Sequence, residues 1–332
     1  MDWSKGFEAR YYASILDKNS WRDRERFEIT GGQISRSTGE LIESADINCV
    51  RYDKGEQWIR IWMDVRQNGA AEHVALFTGL ATSPTDDING SVTNNSLECY
   101  SVLKPAQDIL LPRGWYAPRG ISGATIINDL LRVTPAPVEV SDNAPNLKQN
   151  IIAEESETNL SMINKILTAI NWRIRITGEG HIQVCPKAAG SSLRFSTREN
   201  DSIEPRLSKG HDWFSAPNIF RAVSGDESAT ATDDSEYSPL STVNRGREIW
   251  KEETSCDLND GETLYEYASR RLKEEQSVSE VISYDRRFFP DILVSDLVTL
   301  HFPDKKIDGD YQITSQRIEI GYGAKTTEEA VK

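Results

Sequence analysis

Ile307-Asp308-Gly309-Asp310-Tyr311-Gln312-Ile313-Thr314-Ser315-Gln316-Arg317-Ile318-Glu319-Ile320-Gly321 reads as one long β-strand. Ser295-Asp296-Leu297-Val298-Thr299-Leu300 reads as the strand before it. An acidic turn opens the earlier strand, and period-two alternation of apolar and polar residues carries both. Tyr311, Ile313 and Ser315 share one face, whereas Ile318 and Ile320 have the opposite parity. A β-bulge near Gln316 would reconcile the two halves.

The same alternation fills the first hundred residues. Tyr11–Leu16 is one run, and Phe27-Glu28-Ile29 leads through Gly31-Gly32, a turn or bulge, into Gln33-Ile34-Ser35. Ala45–Val50 and Trp58–Val65 alternate, which puts one face on a core. Asn68-Gly69 is a strong hairpin signal before the strand His73–Leu80. A second Asn-Gly pair, Asn89-Gly90, precedes Ser96–Leu103. Strands at this spacing predict a sandwich or barrel.

The character then changes. Leu110–Gly120 is a loop rich in Pro, Gly and aromatics, and Ser122 is placed to cap a helix carrying Ile126, Ile127, Leu130 and Leu131. Pro135 and Pro137 end it, and Ser141–Asn146 is a polar loop. A helix over Thr158–Asn171 has Leu160, Ile163, Ile166, Leu167 and Ile170 on one face. It feeds a hairpin, Trp172–Ile176 and His181–Val184, turned by Gly178-Glu179-Gly180. Strands resume with Asn218–Val223. The segment Gly225–Tyr237 holds Asp226, Glu227, Asp233, Asp234 and Glu236 and no base, and is expected to be a mobile loop. A helix over Glu262–Gln276, capped by Asp260 or a neighbour, presents Leu264, Ala268 and Leu272, and Glu280–Tyr284 is again a strand. The chain therefore divides into residues 1–103, 104–199 and 200–332.

Composition excludes more than it assigns. A net charge of −14 opposes tight nucleic-acid binding, which needs clustered Lys and Arg. No run approaches the roughly 20 apolar residues of a membrane span. Met1-Asp2-Trp3-Ser4-Lys5 lacks the apolar core of a secretory signal, so synthesis and folding in a cytoplasm are expected. Cys49, Cys99, Cys185 and Cys256 are far apart and read as reduced thiols, with no metal or disulfide framework. His73, His181, His211 and His301 are isolated, no nucleotide, hydrolase or zinc motif is present, and with 52 acidic residues paired carboxylates arise by chance. No catalytic residue, metal or cofactor is nominated. The tryptophans are a better lead: Trp58 and Trp62 fall on one face of a strand. Core packing competes there with an interface belt or a sugar platform.

The stretches Ser295–Leu300 and Ile307–Gly321 resemble the closing strands of baseplate hub proteins from contractile phage tails and phage-tail-like bacteriocins. That fold is shared with late-control-D proteins and type VI secretion spike hubs. Thr158–Val184 resembles the middle segment of such hubs, and Leu264–Tyr284 their last helix and strand.

The resemblance implies an α+β, β-rich fold with two related β-barrel-like domains and a mixed α/β segment between them. It implies a non-enzymatic part of a virion tail baseplate or tail-like particle, assembled in the bacterial host cytoplasm. Its partners would be two further copies in a trimeric pseudo-six-fold ring, the tail tube protein, the central spike, other baseplate proteins and, as a further candidate, the tape measure protein. DNA would only pass through the channel, and no membrane anchoring is expected. Competing readings are a carbohydrate-binding or cell-wall-active tail protein, and another baseplate component of related fold. The candidate partner-contacting residues are Trp58, Trp62, Trp115, Tyr116, Asp233 and Asp234.

Overall fold

Seven strands fill the first hundred residues: β1 (Glu8–Leu16), β2 (Asp23–Ser37), β3 (Glu43–Cys49), β4 (Gln57–Gln67), β5 (Ala70–Ala81), β6 (Thr85–Asn89) and β7 (Val92–Ser101). The computed structural model describes all residues except 40, 51, 83, 90, 91, 142, 143, 188–190, 197–202, 212, 226, 255, 257, 259, 260 and 277–279. Gly90, Asp142, Asn143, Asp226 and Asp260, named above in turn, loop and cap roles, lie outside the described residues.

β1 pairs with β4, β4 with β5, β5 with β7, β7 with β3, β3 with β2 and β2 again with β1. Six antiparallel strands thus close on themselves, and closure leaves the barrel no open edge. Ile59, Ile61, Met63 and Val65 of β4 point inward with Ala13, Ile34, Ile47 and Leu97, all buried. Asn68 and Gly69, with φ of 49° and 84°, form the expected tight turn between β4 and β5. Gly31-Gly32 is a bulge and not a turn: β2 runs straight through it, and its register against β3 shifts between Ile29 and Gly31. Gly32 is required there, because a Cβ would lie 2.1 Å from the Asp46 carbonyl oxygen.

The middle segment contains α1 (Lys104–Asp108), β8 (Tyr116–Ala117), α2 (Gly123–Leu131), β9 (Val138–Val140), β10 (Ile151–Ile152), α3 (Asn159–Ala169), β11 (Trp172–Ile176) and β12 (Ile182–Pro186). The apolar faces of α2 and α3 share one core with β11 and β12, through Ile127, Leu131, Ile163, Ile166, Ile174 and Val184. Ser122 stands at the N-cap of α2, but its hydroxyl makes no capping bond. Thr158 does cap α3, accepting from the Ser161 N–H at 3.1 Å, a bond worth about 1 kcal/mol.

The chain forms two compact units. Residues 1–207 and 283–330 make the larger, and residues 208–282 with 331–332 the smaller. After β13 (Ser191–Ser196) and β14 (Ile203–His211), the smaller unit contains β15 (Ile219–Ser224), β16 (Glu227–Thr232), α4 (Thr242–Arg245), β17 (Trp250–Glu253) and α5 (Leu264–Gln276). Its sheet has the order β16-β15-β17. Phe220, Ala222 and Ala231 pack against Tyr267, Ala268 and Leu272 of α5. The mobile loop expected over 225–237 is corrected here, since β16 occupies its first half and pairs with β15 from Ser224↔Glu227 to Ile219↔Thr232. Thr263 and Glu266 form a capping box on α5.

The remaining strands are β18 (Glu280–Arg286), β19 (Leu297–Phe302), β20 (Ile307–Ile320) and β21 (Thr326–Val331). They join β13 and β14 in the order β13-β19-β20-β21-β18-β14, a second six-stranded set. β20 pairs with β19 over residues 307–312 and with β2 over residues 315–320, so both sets belong to one 13-stranded sheet. The change of partner explains the parity puzzle. Tyr311 and Ile313 are buried on the first stretch, then Gln316, Ile318 and Ile320 on the second. The pairing with β2 runs without a register shift. Strands take up 48% of the chain and helices 16%, so the fold is α+β and β-rich as expected.

Candidate functional site

Trp58, Arg60 and Trp62 alternate with the buried residues of β4 and line its outer face. Trp58 packs against Trp21, with ring centroids 5.5 Å apart, and against the core of the middle segment. Arg60 donates to Thr78 Oγ1 at 3.0 Å and to the Glu179 carbonyl at 2.8 Å. Trp21 Nε1 donates to the same carbonyl at 3.0 Å. These bonds seat the 178–180 turn on the barrel. Trp62 stands two positions further along and donates to Asp23 Oδ2 at 2.8 Å. One strand face thus carries both tryptophans, with Trp58 inside this seam and Trp62 at its rim.

A buried polar network crosses from the barrel to the second set. Arg36 on β2 donates Nε to Glu43 Oε2 at 3.2 Å, Nη1 to Gln316 Oε1 at 2.7 Å and Nη2 to the Leu76 carbonyl at 2.5 Å. Gln316 passes the chain on, donating Nε2 to Glu328 Oε1 at 2.8 Å and to the Ile292 carbonyl at 3.0 Å. Glu328 holds Arg286. Burial pushes the Glu43 carboxyl up to about 7 while Arg36 pulls it down, and Glu43 Oε1 finds no hydrogen-bond partner among the described residues. Asp296, from the acidic turn before β19, is a second buried hub: Arg173 and Arg175 of β11 each reach it at 3.0 Å. Sequence reasoning missed both clusters. Charged residues on alternating strands look solvent-facing until the sheet has neighbours on both sides.

Two surface patches remain. The first lies on the middle segment, where Tyr116 faces Ile152 across the β8–β10 pair. Leu110, Tyr116, Ile121 and Ile152 are exposed there, Ile152 to 67%. Trp115 is half-buried beneath Tyr116 in sequence and packs on the core. Residues 109–121 and 146–153 contain Arg113, Arg119 and Lys148 and no acid.

The second patch is in the smaller unit. Ile219 pairs with Thr232 and with Trp250, so the start of β15, the end of β16 and the start of β17 lie at one end of the sheet. Trp213, Phe214, Tyr237 and Trp250 cluster in sequence around that end and are exposed, Tyr237 to 96%. Their loops are pinned. Arg245 donates to the Ala216 carbonyl at 2.6 Å and Arg247 to that of Phe214 at 2.7 Å. Asp233 accepts from Ser238 Oγ at 2.5 Å and from Gln276 at 2.9 Å. Asn244 Nδ2 donates to the carbonyls of Glu236 and Ser238, both at 2.8 Å. Asp234 and Glu236 face solvent beside Tyr237. Asp233 therefore braces the loop, whereas Asp234 is open.

Among the described residues no group of three or more His, Cys, Asp or Glu is placed to hold a metal ion. All four cysteines are free. No helix among the described residues is long and apolar enough to cross a membrane.

No family model matches the chain, and no curated protein matches it. Solved structures do. A 43 kDa tail protein of prophage MuSo2 from Shewanella oneidensis is 15% identical, with a TM-score of 0.67 over 98% of each chain. A tail protein from Neisseria meningitidis MC58 is 14% identical, with a TM-score of 0.68 over 97% of each chain. Prophage tail protein gp18 from Listeria monocytogenes EGD-e is 13% identical, with a TM-score of 0.54 over 97% of this chain and 94% of that one. The fold is that of phage tail proteins. This is the kind of tail-protein fold that the closing strands suggested.

Proposed function

We propose that the chain is a structural tail component, a baseplate hub whose three copies form a pseudo-six-fold ring joining tail tube to spike. The observation that carries this reading is the sheet itself. A closed six-stranded barrel and a second six-stranded set are fused through β2 and β20, so each chain offers two comparable modules and three chains would offer six. The likeness in fold to tail proteins over nearly the whole chain supports it. In this reading residues 1–103 supply one tube module, and β14 and β18–β21 from residues 200–332, joined by β13 from the middle segment, supply the other; the role is assembly and not catalysis. The tail tube, spike and neighbouring baseplate proteins are the partners.

Light scattering over a range of concentrations, with negative-stain images of the same sample, tests the proposal. A trimeric hollow ring is the expected result. A monomer at every concentration that also gives no ring when mixed with tail tube ends counts against it. The exposed Trp213 and Trp250 favour glycan binding as a second reading. Binding on a glycan array that is lost in Trp250→Ala would bring it forward.

A further inference from the structure

We infer that the open face of the three-stranded sheet in the smaller unit is a platform for a neutral sugar: the Trp250 ring stacks on the C–H face of a hexopyranose while Arg221 and Glu252 together hold two neighbouring hydroxyls. The inference rests on the glycan reading, to which it adds the site and the class of sugar. It does not depend on the ring.

α5 covers one face of this sheet. Phe220, Ala222 and Ala231 point to α5, and Lys251 bonds Glu275 on the same side. Alternation turns Arg221 of β15, Trp250 and Glu252 of β17, and Ser228, Thr230 and Thr232 of β16 to the opposite face. All six are exposed. The register sets them in rows across the strands: Trp250, Ile219 and Thr232, then Glu252, Arg221 and Thr230. Two residues along a strand, about 7 Å, separate the indole from the Arg221–Glu252 pair.

The polar groups are held but not used up. Arg221 Nε donates to Glu252 Oε2 at 2.5 Å, and Nη2 reaches the same oxygen. Glu252 Oε1 and Arg221 Nη1 have no partner among the described residues. A fixed acceptor beside a fixed donor matches two adjacent hydroxyls, each able to give one hydrogen bond and take another. Trp250 Nε1 donates to Glu248 Oε2 at 3.0 Å, which orients an indole that is 54% exposed.

The make-up of the face selects the occupant. Its base and its acid are bonded to each other, so it offers no spare cation to the carboxylate of a sialic or uronic acid. The centre of a protein contact is apolar and poor in charge, whereas here one ring stands among hydroxyls and an ion pair. A sugar presents the matching surface, an apolar plate edged by hydroxyls. The face is shallow, so a dissociation constant of about 1 mM is expected.

Saturation-transfer NMR suits binding this weak. The full chain is mixed in turn with the methyl glycosides of glucose, galactose, mannose and N-acetylglucosamine, and with glucuronic acid as the charged control. Transfer to the ring C–H protons of at least one neutral glycoside, and none to glucuronic acid, is the expected result. Trp250→Ala should abolish it, Trp250→Phe should restore part of it, and Glu252→Ala should weaken binding about tenfold. Circular dichroism of each variant checks that the fold is retained. Transfer that survives in both Trp250→Ala and Glu252→Ala overturns this site and leaves the glycan reading standing. Transfer to no glycoside overturns both. Self-association that fails in Trp250→Ala, with no glycoside bound by the wild type, makes the face a protein contact and likewise overturns the inference.

Discussion

Arg286 and Glu328 face each other with both side chains wholly buried, joined by a 2.7 Å bond from Nε to Oε2 and a second from Nη2 to Oε1. Gln316 also donates to Glu328 Oε1 and ties it to Arg36. A charge pair this deep is costly to break and cheap to replace as a whole.

Glu328→Ala should therefore cost about 3–5 kcal/mol of stability, because the buried Arg286 guanidinium loses the carboxylate that balances its charge. The double variant R286M/E328L should recover most of that loss. Urea midpoints of the two variants and the wild type measure the difference. Equal losses in both would show that packing, and not the stranded charge, sets the cost.

Glu43 gives the same network a pH dependence. Its carboxyl is held up at about 7 against an ordinary 4.5. A carboxyl raised by folding contributes stability that is fully present below the unfolded value and lost as pH rises through the folded one. Wild-type stability should therefore fall between pH 5 and pH 8, and Glu43→Gln should flatten that slope. Thermal unfolding of both proteins at the two pH values checks it; parallel curves would argue against a protonated Glu43.

Gly178 meets the barrel wall directly. A Cβ there would lie 1.8 Å from the Ala75 carbonyl oxygen, and the Gly178 carbonyl accepts from Thr78 Oγ1 at 2.8 Å. Gly178→Ala must push the 178–180 turn off β5, with a loss of about 3 kcal/mol or more from overpacking. Faster amide exchange in β11 and β12 than in β4 would locate the damage.

Asp296 is predicted to matter more than its place in a short turn suggests. Asp296→Ala leaves Arg173 and Arg175 without the carboxylate they share, at a cost of about 3–5 kcal/mol. Replacing both arginines as well should soften it. Denaturation midpoints of the single and triple variants decide.

The strands of the barrel were legible because their alternation is strong and Asn68-Gly69 leaves little choice of turn. β16 was not, because Glu227-Ser228-Ala229-Thr230-Ala231-Thr232 buries only one side chain, the small Ala231, and the acids of the 225–237 segment around it dominate a compositional reading. The capping bond expected of the Ser122 hydroxyl is not made, although the helix is where its apolar spacing put it. Tertiary packing of Ile127 and Leu131 holds α2 without the cap. Gln316 shows the limit most clearly. Its sequence neighbourhood announced a change of face, but only the pairing with two different strands gives the reason. Of the surface patches, Trp115, Tyr116, Asp233 and Asp234 were visible as unusual composition. Tyr237 and Trp213 were not, since exposure of an aromatic cannot be read without the fold.

β20 also has a mechanical meaning. Residues 307–312 are bonded to β19 and residues 315–320 to β2 with only two residues between, so no hinge separates the two six-stranded sets. A pull on one set reaches the other along a continuous backbone in tension, flanked by rows of hydrogen bonds that are loaded sideways and share the force. Failure then requires many bonds to give way together, and the joint between the two sets behaves as a spar and not as a tether.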